Sequence, residues 1–163
     1  MPVRAYVALG ANLGDPVATV RAAIQALRGI AGTHFRAASS LYRTAPVGLH
    51  HQPDFINAVA ALDIDAAVLP APTFLARLFD IEAAFGRVRS TRNAPRTLDL
   101  DLLLFGDERC ATDGLELPHP RLHERAFVLV PLAEIAPDLA IPGRGPVSGL
   151  LPAVAGQAIA RLT

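Results

Sequence analysis

Leucine occupies every second position of the segment from Thr97 to Leu104. Side chains of a β-strand alternate between the two faces of its sheet, so this pattern predicts a strand over Thr97–Phe105. Asp99 and Asp101 then share one face, with about 7 Å between their side chains along the strand. The opposite face receives Leu98, Leu100, Leu102 and Leu104. The segment therefore predicts a sheet strand with one apolar face and one acidic face.

Three further strands and two helices are predicted before this segment. The strands are Arg4–Leu9, Thr33–Leu41 and Phe55–Ile64, which are rich in apolar and β-branched residues. The first helix is expected to start at Asp15, a side-chain cap followed by proline, and to end at Gly29. The second is expected to be capped by Thr73 and to end at Gly86.

The resulting order, β-α-β-β-α-β, is that of a ferredoxin-like α+β fold with a mainly antiparallel sheet and helices on its faces. The remaining third of the chain is rich in proline and forms a C-terminal extension, with short helical segments expected around Glu124–Ala136. No internal repeat or low-complexity linker divides the chain, so residues 1–163 are predicted to form a single domain.

Composition excludes several classes of protein. The chain has 163 residues, of which 52% are hydrophobic and 18% charged, so it is not a disordered chain. A net charge of zero argues against a nucleic-acid coat and a polybasic membrane anchor. The single cysteine, Cys110, cannot form an internal disulfide. No apolar run is long enough for a membrane span and no signal peptide is recognisable, so a cytoplasmic protein is expected.

All 15 basic residues are arginines. A Walker-type phosphate loop and the protein-kinase scaffold both require a lysine, so these two ways of binding ATP are excluded. Four of the arginines, Arg87, Arg89, Arg92 and Arg96, fall within ten residues just before the acidic strand. Guanidinium groups bind phosphate oxygens in a bidentate manner, and Mg²⁺ favours one or two carboxylates plus substrate phosphates.

These charges therefore suit a metal–polyphosphate ligand. Two simpler interpretations remain open at this point: a solvated acidic face on an edge strand, and an ordinary lattice of surface ion pairs.

Several motifs resemble, in the same order, those of the 6-hydroxymethyl-7,8-dihydropterin pyrophosphokinases. The central ones are Gly86–Arg89 and Pro95–Gly106. The others are Ala8–Asp15, Ser40–Gly48, Gln52–Ala58, Leu117–Leu122 and Arg125–Phe127. The resemblance covers nearly the whole chain up to Pro142. It implies the ferredoxin-like fold and transfer of pyrophosphate from ATP to the hydroxymethyl group of the pterin, giving AMP, in folate biosynthesis.

The resemblance also implies roles for individual residues. Asp99 and Asp101 would hold two Mg²⁺ ions, and together with Arg87 and Arg96 they would form the catalytic set. ATP would be bound by Glu82, Arg87, Arg89, Arg96 and His119. The pterin would stack between Phe55 and Phe127, with hydrogen bonds from Asn57, Thr44 and the backbone at Pro46 and Val47. The implied partners are these two small molecules only, bound by a monomer without nucleic acid or membrane.

One alternative function has the same fold, a non-catalytic ferredoxin-like module that binds a nucleotide or RNA. An RNA-binding module would require a basic overall charge and exposed aromatic pairs on its sheet. The sequence shows neither feature. The chain also lacks tryptophan, and Asn93 stands in the arginine-rich loop where many relatives have one.

Overall fold

The computed structural model describes residues 2–46, 53–86 and 97–162. Its strands are β1 (Val3–Ala11), β2 (Thr33–Ala38), β3 (Tyr42–Thr44), β4 (Phe55–Ile64), β5 (Asp99–Phe105), β6 (Cys110–Thr112), β7 (Leu115–Leu117), β8 (Ala140–Ile141), β9 (Gly145–Pro146) and β10 (Ala160–Arg161). The helices are α1 (Pro16–Arg28), α2 (Ala71–Ala84), α3 (Ala126–Ile135) and α4 (Val147–Leu150).

Six strands form one sheet in the order β10-β3-β4-β1-β5, and β2 also pairs with β4, beyond the end of β3. Every pair in this sheet is antiparallel. The order confirms the predicted ferredoxin-like α+β arrangement. The remaining strands form two hairpins, β6 with β7 and β8 with β9.

Each face of the sheet has its own apolar core. On one face, α1 and α2 pack on the sheet through residues such as Leu27, Phe74 and Leu78. On the other face, α3 and α4 pack through residues such as Leu129 and Val147. Helix α3 lies within the C-terminal segment where short helices were expected. None of the helices in the described part of the chain is both long and apolar enough to cross a membrane.

The predicted second strand, Thr33–Leu41, is interrupted in the structure at Ser39. The buried side chain of Ser39 accepts a hydrogen bond from the Val59 N–H at 2.9 Å, and its own N–H donates to the Val59 carbonyl at 2.8 Å. The Ser39 hydroxyl therefore accepts the hydrogen bond that the Val59 N–H would donate to a backbone carbonyl in a regular antiparallel pair. The result is two shorter strands, β2 and β3, along one side of β4.

The predicted helix boundaries are right for α1 and wrong for the start of α2. Asp15 caps α1, accepting a hydrogen bond from the Ala18 N–H at 3.1 Å. Thr73, the predicted cap of α2, instead lies inside the helix, which begins at Ala71. Pro72 falls in the first turn, where its missing N–H has no intrahelical partner to lose, so the helix starts before it.

The leucine alternation of β5 holds as far as Leu102 and then fails at Leu104. Tyr6 pairs with Leu104 and Val7 with Leu102, so Leu103 is an extra residue without a partner on β1. This β-bulge shifts the phase of the strand, so Leu103 and Leu104 both pack on the α3 side. The prediction that Leu104 shares a face with Leu102 is therefore wrong.

Candidate active site

Asp99 and Asp101 lie side by side on β5, on the face of the sheet against which α3 packs. Asp101 pairs with Ala8 of β1, which belongs to the core on that face, and Asp99 pairs with Gly10. Both aspartates are partly buried. Two carboxylates this close repel one another unless cations balance their charge, so the position suits a metal bound together with an anionic ligand.

The outer edge of β5 is covered by a side chain. In the described residues, no strand pairs with that edge, and the N–H of Leu100 donates to Glu82 Oε2 at 2.8 Å. Glu82 is 1% exposed and ends the buried stripe of α2 formed by Ala71, Phe74 and Leu78. Its carboxylate therefore holds the backbone of β5 between Asp99 and Asp101.

A cavity of about 340 Å³ opens beside the acidic pair. Its lining consists of Leu75 and Phe79 of α2, Asp99, Leu100, Asp101 and Leu102 of β5, Thr112, Gly114, Leu115 and Glu116 of the β6–β7 hairpin, and His119 with Pro120. The helix contributes apolar side chains and the strand contributes two carboxylates. Such a cavity can take a ligand that has a flat apolar part and an anionic part.

The backbone of His119 is hydrogen-bonded to the bulged residue of β5. The extra residue, Leu103, is not paired with β1, and its carbonyl accepts a hydrogen bond from the His119 N–H at 2.9 Å. The imidazole Nδ1 accepts a hydrogen bond from the Arg121 N–H at 3.2 Å, so in the neutral ring the proton lies on Nε2. A neutral His119 thus has one N–H to donate to an oxygen in the cavity.

Burial, together with the positive charge of Arg125, lowers the pKa of His119 from 6.5 to about 4, although Asp99 opposes the shift. Because the folded state binds this proton less readily than the unfolded chain, His119 stabilises the fold above pH 6.5. That contribution is lost as the pH falls from 6.5 towards 4.

We therefore expect His119→Gln to lose less stability than the wild type between pH 6.5 and pH 4. Urea unfolding at several pH values measures the difference, with exposed His34→Gln as the matched control for loss of an imidazole. If the free energy of unfolding falls equally steeply with pH in His119→Gln and in the wild type, this expectation is contradicted.

A second group of polar residues lies on the same face of the sheet, two strands away from the aspartates. The buried Asn57 of β4 donates to Thr44 Oγ1 at 2.9 Å. Asn57 pairs with Gly10, and a Cβ on that glycine would lie 3.2 Å from Asn57 Oδ1. Gly10 in turn pairs with Asp99, so Asn57, Gly10 and Asp99 form one row across three strands.

The two phenylalanines of the predicted stacking pair are both partly buried. Phe55 is directly opposite Thr44 in the sheet and therefore lies on the same face as the Asn57–Thr44 pair. Phe127 is in the first turn of α3 and packs against the core on that face, with the Arg125 guanidinium 5.4 Å from its ring centroid. Pro46 follows β3 and is half-buried.

Four predicted site residues, Val47, Arg87, Arg89 and Arg96, lie outside the described residues, as do Arg92 and Asn93. The structure brings Asp99, Asp101 and His119 together at the cavity, with Glu82 on the edge of the same strand. It groups Thr44, Phe55 and Asn57 at the neighbouring position.

Five residues that line the cavity are not among the predicted site residues: Leu75, Phe79, Thr112, Leu115 and Glu116. Phe79 could have been noticed, because it is a large apolar residue that is not at helical spacing from Phe74 and Leu78. In the structure it is 38% exposed. The hairpin residues have no comparable signal, since only the three-dimensional fold brings that turn next to β5.

Comparison with known proteins gives a consistent family. Residues 6–137 match the family model described as 7,8-dihydro-6-hydroxymethylpterin-pyrophosphokinase (HPPK). A 2-amino-4-hydroxy-6-hydroxymethyldihydropteridine pyrophosphokinase of Haemophilus influenzae is 41% identical over 160 residues, covering 98% of each chain. The enzyme of the same name from Pseudomonas aeruginosa is 45% identical over 159 residues, covering 98% of this chain and 96% of the relative.

Solved structures agree on the fold. Wild-type Plasmodium falciparum HPPK-DHPS with pteroate matches 92% of this chain with a TM-score of 0.71 at 12% identity. The wild-type protein with STZ-DHP matches 96% with a TM-score of 0.70 at 14% identity. This chain spans less than half of those longer chains, 42% and 43% respectively.

Proposed function

The chain belongs to the 7,8-dihydro-6-hydroxymethylpterin-pyrophosphokinase family, and we propose that the cavity beside Asp99 and Asp101 is where it binds ATP. The protein is an ATP-dependent pyrophosphokinase of folate biosynthesis. It transfers pyrophosphate from ATP to the hydroxymethyl group of 6-hydroxymethyl-7,8-dihydropterin. AMP is the second product.

One observation supports the ATP assignment above all others: the acidic pair lines a cavity to which α2 contributes two apolar side chains. In the proposed arrangement the base lies against Leu75 and Phe79, and the phosphates lie towards Asp99, Asp101 and His119. The Nε2–H of neutral His119 donates to a phosphate oxygen. Arg87, Arg89 and Arg96, which the family resemblance assigns to ATP, would supply positive charge for the phosphates.

The donor set on β5 fits Mg²⁺ bound together with ATP. In residues 2–46, 53–86 and 97–162 no group of three or more His, Cys, Asp or Glu side chains could hold a metal ion. Two carboxylates can nevertheless bind Mg²⁺ whose remaining ligands are water and phosphate oxygens. We propose that Asp99 and Asp101 hold two such ions, which would neutralise charge on the transferring phosphates.

The pterin is assigned to the neighbouring group of residues. Phe55 and Phe127 hold the ring by stacking, and the Asn57–Thr44 pair and the backbone at Pro46 and Val47 bind its polar edge. On this assignment the pterin lies at the Asn57 end of the row that joins Asn57 to Asp99 through Gly10, and the phosphates lie at the Asp99 end. The hydroxymethyl oxygen attacks the β-phosphorus in line with the departing AMP, so the task of the protein is positioning and charge neutralisation.

Incubation with ATP, Mg²⁺ and the hydroxymethyl-dihydropterin tests the function. We expect AMP and pterin diphosphate in equal amounts, with none formed when the pterin is omitted or when EDTA is added. Release of ADP or inorganic phosphate in place of AMP would contradict pyrophosphate transfer. The expectations of a monomer, a single domain over residues 1–163 and a cytoplasmic location stay predictions.

A further inference from the structure

The C-terminal segment after α4 contacts both sides of the proposed pterin site. Following a short 3₁₀ turn at Leu151–Val154, Gln157 contacts the start of α3, and β10 pairs with β3. Phe127 stands in the first turn of α3, and Thr44 ends β3. In the proposed arrangement both residues contact the pterin.

Gln157 makes two hydrogen bonds to the backbone at the start of α3. Its Oε1 accepts from the Ala126 N–H at 2.8 Å, and its Nε2 donates to the Glu124 carbonyl at 2.8 Å. The first N–H groups of a helix have no partner within the helix, and the N-cap of α3, Arg125, makes no side-chain cap bond. A distant glutamine therefore acts as the cap and fixes the residue at which α3 begins.

The other end of the segment fixes β3. Arg161 pairs with Tyr42, and the Leu162 N–H donates to the Leu41 carbonyl at 2.8 Å. Glu134, near the end of α3, accepts a hydrogen bond from the Tyr42 hydroxyl at 2.6 Å and from the Ser40 N–H at 3.0 Å. Helix α3 and strand β3 are thus joined directly and also through the C-terminal segment.

Only two residues separate Gln157 from β10, so the segment cannot lengthen while both of its contacts are made. The distance between the first turn of α3 and β3 is thereby restricted. On the far side of β3, Thr44 accepts the hydrogen bond from buried Asn57. The position of Phe127 relative to the Asn57–Thr44 pair accordingly depends on Gln157.

We propose that Gln157 is a positioning residue of the pterin site, holding Phe127 at its working distance from Asn57 and Thr44. The proposal rests on the assignment of the pterin to these residues. Gln157 itself does not touch the reacting groups. We expect its effect to fall mainly on the pterin, because Gln157 holds the start of the helix that carries Phe127, whereas the ATP cavity lies at the Asp99 end of the row formed by Asn57, Gly10 and Asp99.

Steady-state kinetics of Gln157→Ala, with each substrate varied at saturating levels of the other, test this proposal. We expect the KM for the pterin to rise about three- to tenfold, the change that corresponds to one or two lost hydrogen bonds. The KM for ATP and the kcat should stay within about twofold of the wild type. Gln157→Glu keeps the acceptor for the Ala126 N–H and should give an intermediate pterin KM, a rescue that a change in overall stability would not produce.

The matched control is Thr33→Val at the far end of the sheet. Thr33 also makes a side-chain to backbone hydrogen bond, to the Ile30 carbonyl at 2.7 Å, so its loss controls for general destabilisation. Equal changes in both KM values for Gln157→Ala, or the same pterin effect from Thr33→Val, would overturn the proposal. A wild type without transfer activity would instead refute the proposed function, so the two failures are distinguishable.

Discussion

Asp101→Ala is expected to lower kcat at least about a thousandfold, and Asp99→Ala likewise, because each removes a ligand of the ions that neutralise the transferring phosphates. Both carboxylates line the cavity, and in the described residues no group of three or more His, Cys, Asp or Glu side chains could hold a metal ion. Each variant should stay folded, since removing one of two adjacent acids also removes their repulsion. AMP release at saturating substrates measures the loss, and thermal unfolding checks the fold.

The matched control is Asp107→Ala, an exposed aspartate in the turn that follows β5. This variant also loses one carboxylate close to β5, but that carboxylate lies outside the cavity. It should therefore keep wild-type turnover. Near-normal AMP release by Asp99→Ala or Asp101→Ala would refute the metal assignment. Raised Mg²⁺ should partly restore a variant that retains one ligand.

Phe127→Ala is expected to raise the KM for the pterin about ten- to a hundredfold, because an aromatic ring that stacks on a heterocyclic base contributes roughly 1–3 kcal/mol. The KM for ATP should change little, since Phe127 packs against the core on the α3 face of the sheet and does not line the cavity beside Asp101. Initial rates with one substrate varied at saturating levels of the other separate the two constants.

Phe35→Ala is a close control for this change. Phe35 is also partly buried and also has a guanidinium over its ring, that of Arg28 at 4.1 Å, but it lies on β2 among residues of the opposite core. It should lower stability without altering either KM. An equal rise in both KM values for Phe127→Ala would count against stacking.

Much of the fold could be predicted from local pattern. The cap at Asp15, the alternation around Asp99 and the stops at Gly29 and Gly86 depend on neighbours within a few residues, and local chemistry decides them. The same alternation placed Asp99 and Asp101 on one face, which is the basis of the candidate site. Family resemblance then supplied roles that no spacing could have given.

The rest depends on contacts between distant parts of the chain. Ser39 interrupts a strand because its partner is Val59, and Glu82 is buried because the edge of β5 needs an acceptor for the Leu100 N–H. The bulge at Leu103 arises from the register with β1, which the leucine pattern does not contain. The role of Gln157 likewise depends on its hydrogen bond to Ala126 of α3, 31 residues earlier in the chain.

The row Asn57–Gly10–Asp99 fixes the distance between the backbones of the two proposed substrate sites. Two strand spacings separate the outer residues, so the backbones at Asn57 and Asp99 are about 10 Å apart. On the proposed assignment, this is the gap between the site that accepts the pyrophosphate and the site that donates it. Sheet hydrogen bonds fix that gap, so side chains in either site can change in evolution while the separation of the two backbones stays constant.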